Sequence, residues 1–513
     1  MPISLKLPEL DHNPILLAET RVNKISEFVQ NLPFGDPIRA ATDLVEEMQI
    51  LNSQKVTFTN RLNALELYRP AALQIYQDLI PHFSSASLPI SNNELAFSHA
   101  AEQLWQELAF GYKSALVDLQ SKILSLSSNK STALVVQRAI HALKEMVFIN
   151  YLTYRTPSPG LWTELHQLYF CALQQNAETY AVAEAFTPNN VSSVNSVYMQ
   201  ILLLALANPH HLSNQDIVKA DIYLTKIADG AELRPLGFVE NPTGVFLVAL
   251  DSDKPPTAFI KNRDIPDGNT DILLVTLNLA RRIHAHLKSL QEGLIPADGS
   301  LPSEALDNHY ADLLTHLIKH FGKSPQRIYS RTKKSDGMEL GIGIKAAHHF
   351  IPKISQDFKS FIVANGEVRP SRWQILNASA GGYALRKFNS SQAAVYVGDV
   401  AAIKNNKTQQ WELGVMRWAN VNELNQLDAG FELISPSVTA INVSTNQSVA
   451  EVEGLLLPEL SGLKQPASII LARGSFAIGQ NIALIINNIH TKAQITKLVE
   501  RTATFERFQY SLI

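Results

Sequence analysis

The chain has 513 residues, of which 46% are hydrophobic and 18% are charged, and its formal net charge is −3 at pH 7. This composition excludes an intrinsically disordered protein, because such chains combine low hydrophobicity with high net charge. The slight acidity also argues against a protein that coats nucleic acid. A single hydrophobic core rarely extends beyond about 250–300 residues, so we expect two to four domains.

Cysteine usage and hydropathy indicate an intracellular protein. The single cysteine, Cys171, cannot form an internal disulfide, which fits a reducing compartment. Its apolar neighbours predict a small buried residue rather than a nucleophile. The first residues lack the apolar stretch of a signal peptide, and the apolar run near Ile201–Ala207 is far shorter than the ~20 residues of a spanning helix. We therefore expect a cytoplasmic protein without direct membrane insertion.

Residues 1–215 are predicted to form a helical scaffold domain. Apolar residues recur at spacings of three and four in segments such as FSHAAEQLWQELAFGYKSALVDL and VVQRAIHALKEMVFINYL. The pattern W-x2-L-x3-Y begins at Trp105 and again at Trp162, and it resembles the first helix of a tetratricopeptide repeat. The separation of the copies is too long for that repeat, so two ordinary aromatic core faces are the favoured interpretation.

Residues 216–322 are predicted to form a mixed, bridging segment. Pro235–Leu250 contains two apolar runs around an Asn-Pro-Thr-Gly turn, which indicates a β-hairpin. Helical periodicity returns in Asp271–Gln291 and in Leu306–Phe321.

The rest of the chain is rich in predicted strands. MELGIGIKAAH, RWQILNAS, GYALRKF and WELGVMRWA are separated by turn residues, a pattern typical of a closed barrel or a sandwich. Residues 323–437 are predicted to form a β-barrel and residues 438–513 an additional small β unit. The fold class is therefore α+β and multidomain, with the helices first and the strands last.

Two short motifs stand at the start of the predicted barrel. The segment from Lys323 to Lys334 has five cations and no acid, and it includes Arg327 and Arg331 as R-x-x-x-R. Further on, N-x-S-x-x-G is formed by Asn377, Ser379 and Gly382, between two predicted strands.

These two motifs, in this order, resemble the signature of PilZ domains, R-x-x-x-R followed by [D/N]-x-S-x-x-G. The resemblance covers about Gln326–Pro436 and implies an antiparallel six-stranded barrel that binds cyclic di-GMP. It further implies that Arg327 and Arg331 contact phosphate and guanine, that Asn377 and Ser379 recognise guanine, and that Gly382 forms the turn.

The chemistry of the ligand agrees with this resemblance. An arginine fork pairs bidentately with phosphate oxygens and also matches guanine O6 and N7. Asn377 and Ser379 are two apart, so in a strand they point to the same face. Gly382 has no Cβ that would keep a flat base away from the backbone.

Three alternatives stay open. The spacing between the motifs exceeds the usual family spacing, and the excess region introduces Arg369 and Arg372, which are candidates to replace Arg327 and Arg331. The basic segment also fits a solvated linker, and the N-x-S-x-x-G motif also fits a purely structural turn.

The interpretation that follows is a bacterial, cytoplasmic receptor for cyclic di-GMP that couples the ligand to an unidentified protein partner through its helical half. A degenerate PilZ scaffold that binds proteins without nucleotide is the alternative. No enzymatic motif, cofactor, metal site or nucleic-acid partner is expected.

Overall fold

The structure is a computed structural model, and it describes residues 5–121, 129–184, 191–260, 270–306, 310–322, 332–333, 336–351, 370–387, 394–405, 409–445, 448–460, 462 and 465–513. The chain divides into two compact units. The first comprises Met1–Ala86, Ile90–Pro209 and Asn214–Pro325. The second comprises Ser87–Pro89, His210–Ser213 and Gln326–Ile513.

The first unit begins with helices, as the apolar periodicity predicted. They are α1 (Val22–Gln30), α2 (Pro37–Asn52), α3 (Phe58–Leu79), α4 (Asn92–Ser121), α5 (Asn129–Leu152), α6 (Leu161–Gln174), α7 (Val194–Leu206) and α8 (Asn214–Ile227). A two-stranded sheet, β1 (Val182–Ala183) and β2 (Val191–Ser192), lies between α6 and α7. The residues of both W-x2-L-x3-Y patterns are buried on α4 and α6, as core faces require.

Helix α5 is buried along nearly its whole length and carries charged residues into the core. Arg138 donates to Glu184 at 2.8 Å, and Lys144 forms an ion pair with Asp221 at 2.9 Å. Burial opposes the charge of Lys144, but its acidic neighbours outweigh burial and raise the pKa of Lys144. Such pairs tolerate burial only when both partners are present, so they fix how α5 fits against α8 and against the residue that follows β1.

The middle segment differs from the predicted hairpin. It contains β3 (Glu232–Pro235), β4 (Val245–Ala249), β5 (Thr257–Ala258), β6 (Asp271–Val275), α9 (Leu277–Gln291) and α10 (Tyr310–Gly322). The strand order is β3-β6-β4-β5, so β6 lies between the two strands that were expected to pair directly. The prediction of a helix from Asp271 was also wrong, because Asp271–Val275 is a strand and the helix begins at Leu277.

The second unit contains the predicted barrel. Its strands are β7 (Thr332–Lys333), β8 (Gly337–Ile342), β9 (Ser371–Ser379), β10 (Gly382–Lys387), β11 (Val400–Lys404), β12 (Trp411–Val421) and β13 (Leu427–Ser435). Antiparallel pairing runs β8-β9-β10-β13-β12-β11 and returns to β8, which closes six strands, while β7 adds to β9. The segment MELGIGIKAAH is not one strand, because β8 ends at Ile342 and a short helix, α11 (Ile344–Phe350), follows.

The additional β unit is itself a closed barrel. It consists of β14 (Thr439–Thr445), β15 (Ser448–Leu457), β16 (Ser468–Ala472), β17 (Asn481–Ile486), β18 (Ile489–Arg501) and β19 (Phe505–Leu512). One apolar cluster contains Val400 and Leu413 of the first barrel together with Leu455, Ile470 and Phe505 of the second. The two barrels therefore share a core, which explains why they form one compact unit.

Candidate functional site

The motif residues of β9 point away from the barrel interior because of a β-bulge. Ala384 lies opposite Asn377 whereas Leu385 lies opposite Ile375, so Leu376 is the extra residue. Up to Ile375 the odd-numbered residues of β9 are buried, but beyond the bulge Ala378 is buried while Asn377 and Ser379 are partly exposed. Bulges commonly re-aim side chains in this way. Without it, strict alternation would turn both polar side chains into the core.

Gly382 begins β10, directly after the turn. Its φ of +151° belongs to the region that favours glycine, and a Cβ there would overlap the carbonyl oxygen of Phe431 in the neighbouring strand. The hydroxyl of Ser379 donates to the carbonyl oxygen of Gly382 at 3.4 Å. The barrel itself therefore requires glycine here, whether or not a ligand approaches.

Cross-strand registers extend this surface over four strands. Ser379 lies opposite Gly382, which lies opposite Glu432 of β13. In the next row, Asn377 is opposite Ala384, Ala384 is opposite Gly430, and Gly430 is opposite Trp418 of β12. Directly opposed residues share a face of the sheet. We name these seven residues the motif face: Asn377, Ser379, Gly382, Ala384, Gly430, Glu432 and Trp418.

The motif face is a strip across four strands of the barrel, with chemically distinct ends. Its centre consists of the small residues Gly382, Ala384 and Gly430, while one end is polar and the other is aromatic. Four neighbouring strands span three inter-strand spacings, which is about 14 Å.

Trp418 reaches the outer surface through a second bulge. Met416 lies opposite Phe431 and Trp418 lies opposite Gly430, so Arg417 is the extra residue. Gly430 has no side chain, and a Cβ there would overlap the indole ring, so the ring lies directly on the backbone of β13. From the sequence, Trp418 was predicted only to lie in a strand, because the bulge that turns it outward leaves no local signal.

A charged pair borders the motif face. Arg386, two residues after Ala384 on β10, donates to Asp428 through Nε at 2.6 Å and through a terminal nitrogen at 2.8 Å. These hydrogen bonds raise the pKa of Arg386. A guanidinium held at the edge of the motif face can also meet a phosphate, although no motif singled this arginine out in the sequence.

Arg327 and Arg331 lie outside the described residues. The two residues that follow Arg331 are described. Thr332 lies opposite Ala378, and Lys333 lies opposite Asn377. Strand β7 thus flanks the polar end of the motif face on the side away from β10.

Of the two alternative arginines, the structure describes only Arg372. Arg369 also lies outside the described residues. Arg372 is exposed on β9 opposite Glu339, and five residues along a strand separate it from Asn377, or about 15 Å. Arg372 therefore lies at the other end of its strand from the motif.

Other kinds of site find little support in the part of the chain that the structure describes. There, no group of three or more His, Cys, Asp or Glu residues is arranged to hold a metal ion. The described helices also include none with both the length and the apolar character needed to cross a bilayer.

Comparison with known proteins gives matches along most of the chain. Residues 23–236 match the model of the N-terminal domain of the cyclic-di-GMP receptor FimW. Residues 245–374 and 363–439 match its middle PilZ domain, and residues 437–513 match its C-terminal β-barrel domain. The chain is similar to the cyclic-di-GMP receptor FimW of Pseudomonas aeruginosa, with 22% identity over 99% of this chain and 93% of the relative.

The three matched regions follow one another in the same order as the helical unit, the motif-bearing barrel and the second barrel. The closed six-stranded barrel and the N-x-S-x-x-G motif agree with the middle match. The chain therefore contains a PilZ-type domain and shares the three-part organisation of FimW.

Proposed function

We propose that this protein is a receptor for cyclic di-GMP and that the ligand binds on the motif face under Arg327 and Arg331. The observation that carries the proposal is the pairing of β7 with β9, in which Thr332 lies opposite Ala378 and Lys333 opposite Asn377. Because Arg331 precedes Thr332 directly, this pairing supports a position of the arginine motif near the polar end of the motif face. The name of the matched relative, a cyclic-di-GMP receptor, supports the same ligand.

Each part of the ligand has a partner of suitable chemistry. The guanidinium groups of Arg327 and Arg331 pair with phosphodiester oxygens. The side chains of Asn377 and Ser379 hydrogen-bond the edge of a guanine. The outer face of Trp418 offers an aromatic surface on which a base can stack. Binding of this kind involves no bond breaking, so the proposed role is that of a receptor and not of an enzyme.

The test is a calorimetric titration of the full chain with cyclic di-GMP. Arg331→Ala removes charge-assisted hydrogen bonds to phosphate and should weaken binding by about tenfold or more. Trp418→Ala should also weaken it, since base–aromatic stacking contributes about 1–3 kcal/mol. Arg372→Ala is the matched control, because it removes an exposed arginine from the same strand far from the motif, and we expect it to bind like the wild type.

Two outcomes would contradict this proposal. Absence of wild-type binding at roughly tens of micromolar would favour a PilZ scaffold that binds proteins without nucleotide. Binding that is insensitive to Arg331→Ala but lost with Arg369→Ala or Arg372→Ala would show that other arginines hold the ligand.

We further propose that the helical half passes the signal to a protein partner. An irregular segment near the N-terminus supports this: Ile15, Leu16 and Leu17 are 99%, 65% and 81% exposed. The side-chain amide of Gln54 fixes the segment, since it accepts from the backbone of Ala18 at 3.0 Å and donates to the carbonyl of Leu16 at 2.6 Å.

Adjacent apolar side chains held out into solvent are typical of a contact surface. Photo-crosslinking from position 17 in bacterial cells, with and without raised cyclic di-GMP, should trap a partner in a ligand-dependent manner. Crosslinks that do not change with the ligand would remove this part of the proposal.

A further inference from the structure

Arg417 links the motif face to the C-terminal barrel. Its Nε donates to a carboxylate oxygen of Glu432 at 2.6 Å, and a terminal nitrogen donates to Glu500. Glu432 belongs to the motif face, whereas Glu500 lies on β18 of the second barrel. One guanidinium therefore connects the surface that carries the motif with a domain that contributes no residue to it.

Two carboxylates stabilise the positive charge of Arg417. Burial opposes the charge of Arg417, but Glu500 and Glu432 outweigh burial and raise its pKa. Glu500 also lies opposite Arg507 of β19, and Arg507 donates to the hydroxyl of Ser468 at 2.8 Å. The backbone position of Glu500 is thus set by the pairing of β18 with β19 in its own barrel.

Strand β12 carries both Arg417 and residues of the apolar cluster that the two barrels share. Leu413 and Val415 of β12 belong to the apolar cluster that contains Phe505 and Leu455 of the second barrel. Two residues after Val415 comes Arg417, the extra residue of the bulge, and Trp418 follows it on the motif face. The second barrel therefore contacts β12 on both the apolar and the charged side of the bulge that aims Trp418.

We propose that Arg417 and Glu500 are positioning residues for ligand binding: through them the C-terminal barrel holds the β12 bulge, and with it Trp418 and Glu432, in the arrangement that accepts the ligand. The affinity part of this inference rests on the proposed function. A purely structural role for the link predicts a lower stability of the Glu500→Gln variant but an unchanged ligand face.

The first arm of the test needs no ligand. The full chain is labelled with 5-fluorotryptophan, and the ¹⁹F resonance of Trp418 is assigned by its loss in Trp418→Phe. Glu500→Gln should shift or broaden this resonance. Glu451→Gln is the matched control, because Glu451 accepts from Asn442 at 2.6 Å within the same barrel, and it should leave the resonance in place.

The second arm measures the affinity for cyclic di-GMP by calorimetry. Glu500→Gln should weaken binding on the order of 5-fold, whereas Glu451→Gln should not. The double variant Arg417→Gln/Glu500→Gln should bind no more weakly than Arg417→Gln alone, because both changes remove the same link.

Two results would overturn the inference: a Trp418 resonance that is unchanged in Glu500→Gln, or equal affinities of Glu500→Gln and Glu451→Gln. If the wild type binds no cyclic di-GMP, the proposed function fails by itself. The ligand-free resonance then decides whether Glu500 positions Trp418.

Discussion

Asp399 is a buried carboxyl just before β11, 6% exposed, and it accepts a hydrogen bond from the backbone of Tyr396 at 2.8 Å. Burial is the larger influence and raises its pKa from 3.8 to about 6. Between these two pH values the folded chain binds a proton that the unfolded chain has released. Stability therefore falls as the pH rises from about 4 to about 6 and then levels off.

We expect Asp399→Asn to remove this decline, because an amide keeps an acceptor but does not ionise. Above pH 6 the variant should be more stable than the wild type, by at most about 3 kcal/mol for a shift of this size. Urea unfolding at pH 4.5 and pH 7.5 measures the difference. Exposed Asp336→Asn is the control, and an identical pH response of wild type and Asp399→Asn would refute the assignment.

Gly382 shows why a motif residue is not evidence of a ligand by itself. Its conformation and the proximity of Phe431 demand glycine for the barrel. Asn377 and Ser379 differ, since their partly exposed side chains are not needed to fill the core. At the scale of single residues, the polar pair is therefore the more informative half of the motif.

The two bulges are the elements that create the motif face. One at Leu376 turns Asn377 and Ser379 outward, and one at Arg417 turns Trp418 outward. Both lie next to residues of the motif face. Bulges often lie beside functional sites, where they aim a side chain.

Deletion of Leu376 should remove the bulge but keep the orientation of the motif residues. Ile375 would stay opposite Leu385 and Asn377 opposite Ala384, so in a regular strand Asn377 and Ser379 would still point outward. We therefore expect the deletion variant to retain cyclic di-GMP binding, measured by calorimetry. Leu376→Ala keeps the bulge and serves as the control, and loss of binding in the deletion variant alone would contradict this account of the bulge.

At the scale of the whole molecule, the second barrel completes the core of the first. Phe505 belongs to the cluster shared by both barrels, whereas Phe508 belongs to a cluster formed by the C-terminal barrel alone. Truncating a buried phenylalanine costs about 3–5 kcal/mol. The same substitution at these two positions should therefore have different consequences along the chain.

We expect Phe505→Ala to weaken hydrogen-exchange protection in β11 and β12 as well as in the second barrel. Phe508→Ala should act mainly on the second barrel. Exchange measured by mass spectrometry on both variants compares the two patterns. Equal effects of the two variants on β11 and β12 would show that the shared cluster does not couple the barrels.

Much of the local structure was predictable because its causes are local. The helical half follows from apolar spacing over a few turns, and the short strands of residues 371–435 follow from alternating residues and turn signals. The prediction failed where pairing depends on distant chain. Strand β6 separates β3 from β4, and no pattern within Pro235–Leu250 reveals a partner that comes later in the sequence.

The sequence by itself indicated the PilZ domain, most of the succession of helices and strands, and the polar residues of the two motifs, because residue type and short-range spacing encode them. The tertiary structure decided which way those residues face and what surrounds them. The register shifts at Leu376 and Arg417 arise from how two hairpins pair, whereas the packing of Phe431 against Gly382 and the bridge from Arg417 to Glu500 join strands far apart in sequence. Such contacts depend on how the barrels close, which no local pattern records.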